Sequence, residues 1–488
     1  MTFWELLSGA PPERVVLADD HGRTMTNAQL ADAAEWCAAG LGVGPDDVVS
    51  WQLPTTIEAF VLLAALARVG AVQNPIIPIL REREVGLITK AVGTTRFVCP
   101  STWRGFDFAA MGRGLGLDVV AVDLEGPVHD AVRLPAAPPR DLPAPPSSPT
   151  EARWVYFSSG TTADPKGARH SDESLIASAV GINEHLGLAD GDVYPIAFPV
   201  THIGGIGMLT ASLRAGGTLL LLDTWDPAVT PELVAFHRPT ILGSAQPFFR
   251  AYLDAQRRHG DEPLYPDLRT CTGGGAPTPP ELVRELVETF GVRGVVSSWG
   301  LTEFPIATYA MPEDPTDVLA ETVGRAVPGV SVRLVDDELR LKGPQCFLGY
   351  LDASLDADAF DDEGWFRTGD LGEIDADGNV RITGRLKDVI IRNAENISAL
   401  EIEDVLLRHP DVVDVAVIGL PDARTGERVC AVVVAAPGAA VTVEVLAEHC
   451  GAQGLARHKC PEQVEVVDAL PRNPMGKLLK QQIKDSLA

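Results

Sequence analysis

One loop of this 488-residue chain carries side chains suited to holding phosphate. The stretch Tyr156–Ser171, YFSSGTTADPKGARHS, is rich in hydroxyls, and Gly160 lets the backbone turn so that N–H groups can face an anion. Lys166 adds a positive charge. The common G-x-x-x-x-G-K-[ST] loop is not matched, because Pro165 replaces the second glycine and Gly167 follows the lysine. From this segment alone, a phosphate loop and a polar surface turn are equally good interpretations.

Four further segments contain residue types suited to a nucleotide. CTGGGAPTPP has three consecutive glycines, which would let a flat ligand approach the backbone. In SSWGLTEFP, Trp299 could stack on a base, while Thr302 and Glu303 could serve phosphate and Mg²⁺. Asp370 in RTGDLG suits a ribose diol, and PRNPMGKLLK presents Lys477. A flexible loop, an exposed acid or a turn remains the alternative for each segment taken alone.

The elements around these segments alternate between helical and extended patterns. TNAQLADAAEWCAAGL and TIEAFVLLAALARVGA have apolar residues at helical spacing, and DVVSWQL between them is typical of a strand. This alternation predicts a layered α/β domain with a mainly parallel sheet. WVYFSS is a short apolar strand directly before the candidate phosphate loop, and α/β proteins place ligand loops at such strand ends. The proline-rich stretch 133–150 is interpreted as a solvated connector.

The pattern changes in the last third of the chain. VSVRLVDDELRLKG and GWFRTGDLGEIDADGNVRITGR are strand-and-turn segments, with DADG as a strong turn signal. After GRLKD, about a hundred residues have their own order of helices and strands, which predicts a small α+β domain. We therefore predict a large domain over residues 1–386 and a small one over 387–488, with the boundary near Leu386–Asp388.

Composition restricts the class of protein. The chain is 45% apolar and 22% charged, which is typical of a folded globular protein. Its net charge of −27 disfavours nucleic acid and anionic membranes as partners. Seven cysteines without a C-x-x-C pair disfavour a disulfide framework or a zinc site and favour a reducing, cytoplasmic setting. No secretory signal and no apolar run of the ~20 residues needed for a membrane span are found, so we expect a soluble protein.

In this order, the motifs closely resemble the adenylate-forming superfamily, which includes AMP-forming acyl-CoA synthetases, luciferases and peptide-synthetase adenylation domains. The resemblance extends from about Ser158 to Lys477, and AVQNPIIP near the N-terminus fits it too. The Pro-Lys-Gly ending identifies the hydroxyl-rich loop as the phosphate loop of that family. The resemblance implies a large layered N-terminal domain, built from α/β subdomains and a small β-barrel-like region, and a small mobile α+β C-terminal domain.

The resemblance also implies roles for residues that would bind ATP. The phosphates would be held by Ser158, Ser159, Gly160, Thr161, Thr162 and Lys166. The surroundings of adenine would be formed by Gly275, Ala276, Pro277, Ser297 and Trp299. The ribose would be bound by Asp370 and Arg385. Thr302 would contact the α-phosphate, Glu303 would hold Mg²⁺, and Lys477 would bridge the acyl carboxylate and the α-phosphate.

Further positions match the acyl and thiol sites of the family. His202 would stand beside the substrate carboxylate, and the absence of aspartate between residues 198 and 208 disfavours an amino acid substrate. The acyl pocket would be walled by Thr201, Gly205, Gly300, Ile306 and Ala307. These residues are small or apolar and carry no charge, so we expect an uncharged hydrophobic acid: medium-chain, aromatic or alicyclic.

Lys387 would be the hinge between two orientations of the small domain. One orientation would bring Lys477 to the site for adenylation, and the other would bring the CoA-binding residues Asn393, Ala394 and Glu395. The chain departs from the family where Ala163 replaces a usual glycine and where Asn393-Ala394 replaces a usual Gly-Gly pair. The second departure predicts that the CoA step is the weaker half of the reaction.

The leading hypothesis is an AMP-forming acid–thiol ligase that uses ATP, Mg²⁺ and coenzyme A. A second is a stand-alone adenylation enzyme that loads a carrier protein, and a third is a non-catalytic acyl-adenylate-binding protein. The third is disfavoured because Lys477, Glu303 and Asp370 are all present. We expect small-molecule substrates, no nucleic acid, no membrane span, and a monomer or homodimer.

Overall fold

A computed structural model of the chain describes residues 1–125, 132–158, 165–275, 278–393, 395–422, 424–473 and 476–487. The helices α1–α15 are, in chain order, Phe3–Gly9, Asn27–Leu41, Ile57–Val69, Glu82–Val92, Phe108–Gly114, Asp172–Gly181, Ile203–Ala215, Thr230–Phe236, Gln246–His259, Pro280–Phe290, Thr316–Glu321, Asp356–Ala359, Ala399–Leu406, Val443–Ala452 and Lys480–Leu487. A π-helical turn, Ile182–Leu186, extends α6.

The strands β1–β26 are, in chain order, Val15–Asp19, Thr24–Thr26, Val48–Trp51, Val72–Pro75, Arg96–Pro100, Thr102–Trp103, Phe106–Asp107, Val119–Val122, Ala152–Ser158, Lys166–Ser171, Val193–Ile196, Thr218–Leu221, Ile241–Ser244, Thr270–Gly273, Val295–Trp299, Thr308–Tyr309, Arg325–Ala326, Ser331–Val335, Glu338–Lys342, Phe366–Ile374, Val380–Arg385, Val389–Arg392, Glu395–Ser398, Val412–Asp422, Gly426–Ala435 and Gln463–Val466.

The predicted layered α/β architecture is confirmed in the first part of the chain. One sheet has the strand order β10-β9-β4-β3-β5-β8, in which β9, β4, β3, β5 and β8 run parallel and β10 is antiparallel at the edge. Every residue of α3 is buried, which explains why its sequence is almost continuously apolar. Its one carboxylate, Glu58, is paired with Arg23 at 2.9 Å, so the buried charge is compensated.

Two other sheets bring strand ends toward the centre of this part. Strands β13, β14 and β15 are parallel neighbours, and β16 and β17 follow them in antiparallel order. Strands β11, β12 and β1 are also parallel, with β2 antiparallel at the edge. The carboxyl ends of parallel strands meet at one edge of a sheet, which is where such folds bind ligands.

A four-stranded antiparallel meander, β18-β19-β20-β21, occupies the region for which a barrel-like unit is expected. The short helical turn Leu386–Asp388 follows it. Beyond this turn, β23, β22, β25, β24 and β26 form a separate sheet, and α13 and α14 contribute to a separate buried cluster with it. The described apolar clusters therefore divide near the predicted boundary. No helix within the described ranges is long and apolar enough to cross a membrane.

Candidate active site

A cavity of about 500 Å³ lies between the large α/β part and the small C-terminal sheet domain. Residues from both parts line it, including the turn Leu386–Asp388 that joins them. Eleven of the predicted site residues contribute to its wall: Lys166, His202, Gly275, Gly300, Thr302, Glu303, Ile306, Asp370, Arg385, Lys387 and Lys477. The fold thus gathers motifs that are more than three hundred residues apart in sequence.

Asp370 stands at one end of the cavity in a fixed ionic environment. It is directly opposite Arg385 in the register of β20 and β21, and Arg385 Nε lies 2.7 Å from Asp370 Oδ1. Trp299 Nε1 donates a hydrogen bond of 2.8 Å to Asp370 Oδ2. Because a cation and an N–H both contact the carboxylate, the orientation of Asp370 is fixed. We call this region, with Gly275 and Ser298, the nucleotide end.

Glu303 is buried at the cavity wall beside Tyr350, a residue that the sequence motifs did not indicate. The Tyr350 hydroxyl donates a hydrogen bond of 2.8 Å to Glu303 Oε1. Lys166 Nζ lies 5.5 Å from the centroid of the Tyr350 ring, within the range of a cation–π contact. Tyr350 therefore links the phosphate-loop lysine to the carboxylate predicted to hold Mg²⁺.

His170 holds the backbone next to this carboxylate. Its Nε2 lies 2.8 Å from the Thr302 carbonyl oxygen, which can only accept, so Nε2 carries the proton. Burial lowers the pKa of His170 to about 4, and the ring is therefore neutral. Tyr350, in FLGYL, lies in a segment without a distinctive site pattern, and His170 lies after the hydroxyls and the lysine that mark the candidate phosphate loop, so sequence analysis selected neither.

Lys477 enters the cavity from the small domain. It follows Gly476, whose φ of +78° lies in the left-handed region. The backbone N–H of Lys477 donates a hydrogen bond of 2.9 Å to Asn473 Oδ1. Burial, together with the positive charges of Arg385 and Lys387, lowers the pKa of Lys477 to about 8. A desolvated cation thus lines the same cavity as Glu303.

His202 caps the helix that borders the acyl side of the cavity. Its Nδ1 accepts the Gly204 N–H at 3.2 Å at the start of α7, so the proton of the neutral ring resides on Nε2. Burial, and to a lesser degree the charge of Lys477, lowers the pKa of His202 to about 4. The neutral imidazole provides a donor without a charge in the wall.

Five of the residues predicted for the adenine and acyl sites lie outside the cavity wall: Thr201, Gly205, Ser297, Trp299 and Ala307. Strand alternation explains two of them, because Ser298 lines the cavity and its neighbours in β15 point to the other face. Trp299 packs in a buried cluster and donates its Nε1–H to the cavity-lining Asp370, and its stacking on adenine stays a prediction. A Cβ at Gly205 would lie 2.2 Å from the Val200 carbonyl oxygen, so this glycine permits close backbone packing.

The acyl end of the cavity is assembled from residues that sequence analysis did not select: Ser178, Ile182, Tyr194, Phe198, Met208, Ser244, Thr272 and Tyr309. They come from α6, the π-helical turn, the loop before α7, α7 itself and four different strands. None of these side chains is charged. Hydroxyls therefore stand among the residues of this wall, and an uncharged acyl group stays a prediction. Of the positions predicted for the acyl pocket, Gly300 and Ile306 also line the cavity.

Several predicted residues fall outside the described part of the chain: Ser159, Gly160, Thr161, Thr162, Ala163, Ala276, Pro277 and Ala394. Ser158 ends β9, with Lys166 opposite it in the register of β10. Asn393 and Glu395 lie at the β22–β23 hairpin and do not line the cavity. Asn393 has a φ of +52°, a left-handed conformation that asparagine tolerates better than most residues.

Comparison with known proteins places this geometry in a family. The model of the AMP-binding enzyme family matches residues 5–351, and that of the AMP-binding enzyme C-terminal domain matches residues 401–477. The chain is 30% identical to the medium-chain fatty-acid–CoA ligase of Escherichia coli (strain K12), with 98% of this chain and 88% of that protein covered. It is 32% identical to the salicyl-AMP ligase / salicyl-S-ArCP synthetase of Mycobacterium tuberculosis, with 97% and 88% covered.

The fold is also similar to that of solved structures. The ATP-bound MatB from Rhodopseudomonas palustris aligns with a TM-score of 0.86 at 28% identity, covering 100% of this chain and 99% of that one. The two family models together match both the large α/β part and the small C-terminal part of the chain. The chain therefore belongs to the AMP-binding enzyme family and is an AMP-forming acid–thiol ligase.

Proposed function

We propose that the protein uses ATP to activate a carboxylic acid with an uncharged, hydrophobic acyl group, giving acyl-AMP and pyrophosphate, and then transfers the acyl group to CoA. The observation that carries this proposal is the entry of Lys477 from the small domain into a cavity lined by Glu303 and Asp370. A single cavity thereby joins a cation, a metal-competent carboxylate and an oriented carboxylate suited to a ribose.

In the first step, a carboxylate oxygen of the acid attacks the α-phosphorus of ATP, and the bond to the bridging oxygen of pyrophosphate breaks. Two anions must approach, so alignment and charge neutralisation matter more than a general base. Lys477 neutralises the negative charges of the carboxylate and the α-phosphate. Lys166 neutralises the charge of the leaving pyrophosphate, and Thr302 positions the α-phosphate. The neutral His202 orients the carboxylate from the acyl side.

Glu303 is the residue that would hold Mg²⁺. Its carboxylate has one oxygen bonded by Tyr350, and its other oxygen accepts no hydrogen bond from the described residues, which fits the use of one protein carboxylate together with substrate phosphates. A bound Mg²⁺ would neutralise negative charge on the phosphates. Tyr350 fixes the direction of the carboxylate for this purpose.

In the second step, a thiol attacks the acyl carbon and AMP leaves, with the thiol proton passing to solvent. Asn393 and Glu395 lie outside the cavity, so the described orientation is the one suited to adenylation. Rotation about Lys387 would replace Lys477 with the hairpin that carries them. One relative is named a salicyl-S-ArCP synthetase, which makes a carrier-bound thiol the second candidate acceptor. A cytoplasmic location and a monomer or homodimer remain part of the proposal.

Acid-dependent release of pyrophosphate tests the first step. The purified chain would be incubated with ATP, Mg²⁺ and a panel of medium-chain, aromatic and alicyclic acids, with Lys477→Ala as the control. We expect pyrophosphate release with a subset of these acids and none with amino acids. Failure of every acid in the panel to cause pyrophosphate release would contradict adenylation. Mass spectrometry with CoA or a phosphopantetheinyl carrier then identifies the acceptor, and exclusive use of the carrier would overturn the CoA assignment.

A further inference from the structure

Lys477 lies in a short loop that is closed by hydrogen bonds among its own residues. The Gly476 N–H donates to the Asn473 carbonyl oxygen, and the Asn473 N–H donates to the Lys477 carbonyl oxygen, both at 2.9 Å. The Leu479 N–H donates to the Pro471 carbonyl oxygen, also at 2.9 Å. We call the segment from Pro471 to Leu479 the Lys477 loop. An isolated pairing of this size is marginally stable at best, so its position depends on contacts outside the loop.

Arg472 makes such a contact. Its Nη2 donates to both carboxylate oxygens of Asp414, in β24, at 2.8 Å, and its Nη1 donates a hydrogen bond to the Gly476 carbonyl oxygen. One guanidinium group therefore joins a strand of the small-domain sheet to the residue directly before Lys477. The side chains of Arg472 and Asp414 are each 22% exposed, so this ion pair is only partly screened by the solvent.

This arrangement uses a property that is specific to arginine. The planar guanidinium group has five N–H donors in fixed directions, so it can bind a carboxylate and a backbone carbonyl at the same time. The ammonium group of lysine is a compact charge on a flexible stem. Lysine in place of Arg472 would keep the charge near Asp414 but not the fixed geometry between the two acceptors.

The Lys477 loop is also fitted closely between the two domains. A Cβ built on Gly476 would lie 3.3 Å from Pro247 Cδ, so the backbone of the loop packs closely against the start of α9 in the large domain. After the loop, Lys480 Nζ lies 2.8 Å from Glu403 Oε1 of α13 in the small domain. Ion pairs thus fix the chain to the small domain before and after Lys477, and a small displacement of the loop would change where this side chain enters the cavity.

Resting on the proposed adenylation, we infer that Arg472 is a positioning residue, which joins Asp414 to the Gly476 carbonyl and thereby places the Lys477 ammonium between the acyl carboxylate and the α-phosphate. Arg472 and both of its partners belong to the small domain and turn with it. Arg472 therefore serves the half-reaction in which Lys477 is at the site, and transfer of the acyl group to a thiol does not need it.

The first test compares the two half-reactions of Arg472→Met, which keeps an apolar stem and removes the guanidinium group. A misplacement of about 1 Å can cost about 10²-fold in rate, so single-turnover formation of acyl-adenylate should fall by about 10- to 100-fold. Thioester formation from supplied acyl-adenylate should stay at the wild-type rate. Arg472→Lys should lose less of the first half-reaction. Asp414→Asn should also slow it, and the double variant should match Arg472→Met because the pair acts as one unit.

Arg428→Met is the matched control. Arg428 lies in the small domain and also joins a side chain to a backbone carbonyl, because its Nε donates to Gln463 Oε1 and its Nη1 donates to the Pro421 carbonyl oxygen, both at 2.8 Å. Neither acceptor belongs to the Lys477 loop, so this variant should form acyl-adenylate at the wild-type rate. Equal loss of both half-reactions in Arg472→Met, or the same selective loss in Arg428→Met, would overturn the inference.

A measurement that needs no catalysis separates this inference from the proposed function. Hydrogen exchange of the full chain, read by mass spectrometry, follows the amides of Gly476, Lys477 and Leu479, which are hydrogen-bonded within the Lys477 loop. Their exchange should be about tenfold faster in Arg472→Met and unchanged in Arg428→Met. Wild-type exchange in Arg472→Met would refute the positioning role whether or not an acid is adenylated, whereas faster exchange without pyrophosphate release from the wild type would refute the adenylation alone.

Discussion

The two ends of the cavity differ in how their polar side chains are satisfied. At the nucleotide end, Asp370 already has Arg385 and Trp299 as partners, and Glu303 has Tyr350. At the acyl end, the hydroxyls of Tyr194 and Ser244 have no partner among the described residues. The carboxylates of the nucleotide end are therefore oriented in advance by the protein, whereas no described residue orients these two hydroxyls.

Lys477→Ala should have the largest effect, because it removes the cation shared by both ends. We expect pyrophosphate release to fall by about 10²–10³-fold or more, while thioester formation from supplied acyl-adenylate is largely retained. Single-turnover assays of the two half-reactions measure this difference. Equal loss in both would contradict the two orientations of the small domain.

Asp370→Asn should weaken the nucleotide end alone. The charge-assisted hydrogen bonds to the ribose would be reduced, and we expect the KM for ATP to rise by about 10- to 100-fold. The KM for the acid should change little, and thermal unfolding checks that the protein stays folded. An unaltered KM for ATP would show that Asp370 serves only the structure of β20.

Tyr350→Phe tests whether the orientation of Glu303 matters. Loss of the hydrogen bond should lower the rate by about tenfold and raise the Mg²⁺ concentration required for half-maximal rate. Tyr265→Phe is the matched control, because it removes a tyrosine hydrogen bond of 3.0 Å, to the Pro231 carbonyl, far from the cavity wall. If both variants respond alike to Mg²⁺, Tyr350 has no positioning role.

The pH dependence of adenylation should report Lys477. Its pKa is lowered to about 8, so the charged form is lost as the pH rises through that value, and pyrophosphate release should decline above about pH 8. Lys477→Arg retains its charge, so its profile should stay flat there even if the rate is lower. A wild-type decline that persists in the arginine variant would assign the titration to another group.

The smallest effect is expected at a position that belongs to neither end. Asn393→Ala should lower the free energy of unfolding by about 1 kcal/mol, because alanine is disfavoured at the positive φ of this hairpin. Asn393→Gly should be close to neutral. Urea denaturation compares the two, and equal stability of the alanine variant and the wild type would contradict the strain argument.

Much of the nucleotide end could be predicted from the sequence, because its motifs are short and local. Asp370 and Arg385, for example, stand opposite each other in one hairpin, so their proximity follows from nearby residues. Ser298, and not the predicted Ser297 and Trp299, lines the cavity, because the side chains of a strand alternate between its two faces. His170 and Tyr350 could not be found, because their partners are distant in sequence.

The sequence by itself determined the family, the ATP-dependent chemistry and the lysine predicted to perform it, since each depends on residue types in a fixed order. Only the tertiary structure determined which side chains line the acyl end of the cavity. Tyr194 comes from one sheet and Ser244 and Tyr309 from another, and the distances between them depend on how whole layers pack. Packing of that kind depends on buried area spread over many residues, so no short pattern in the chain records it.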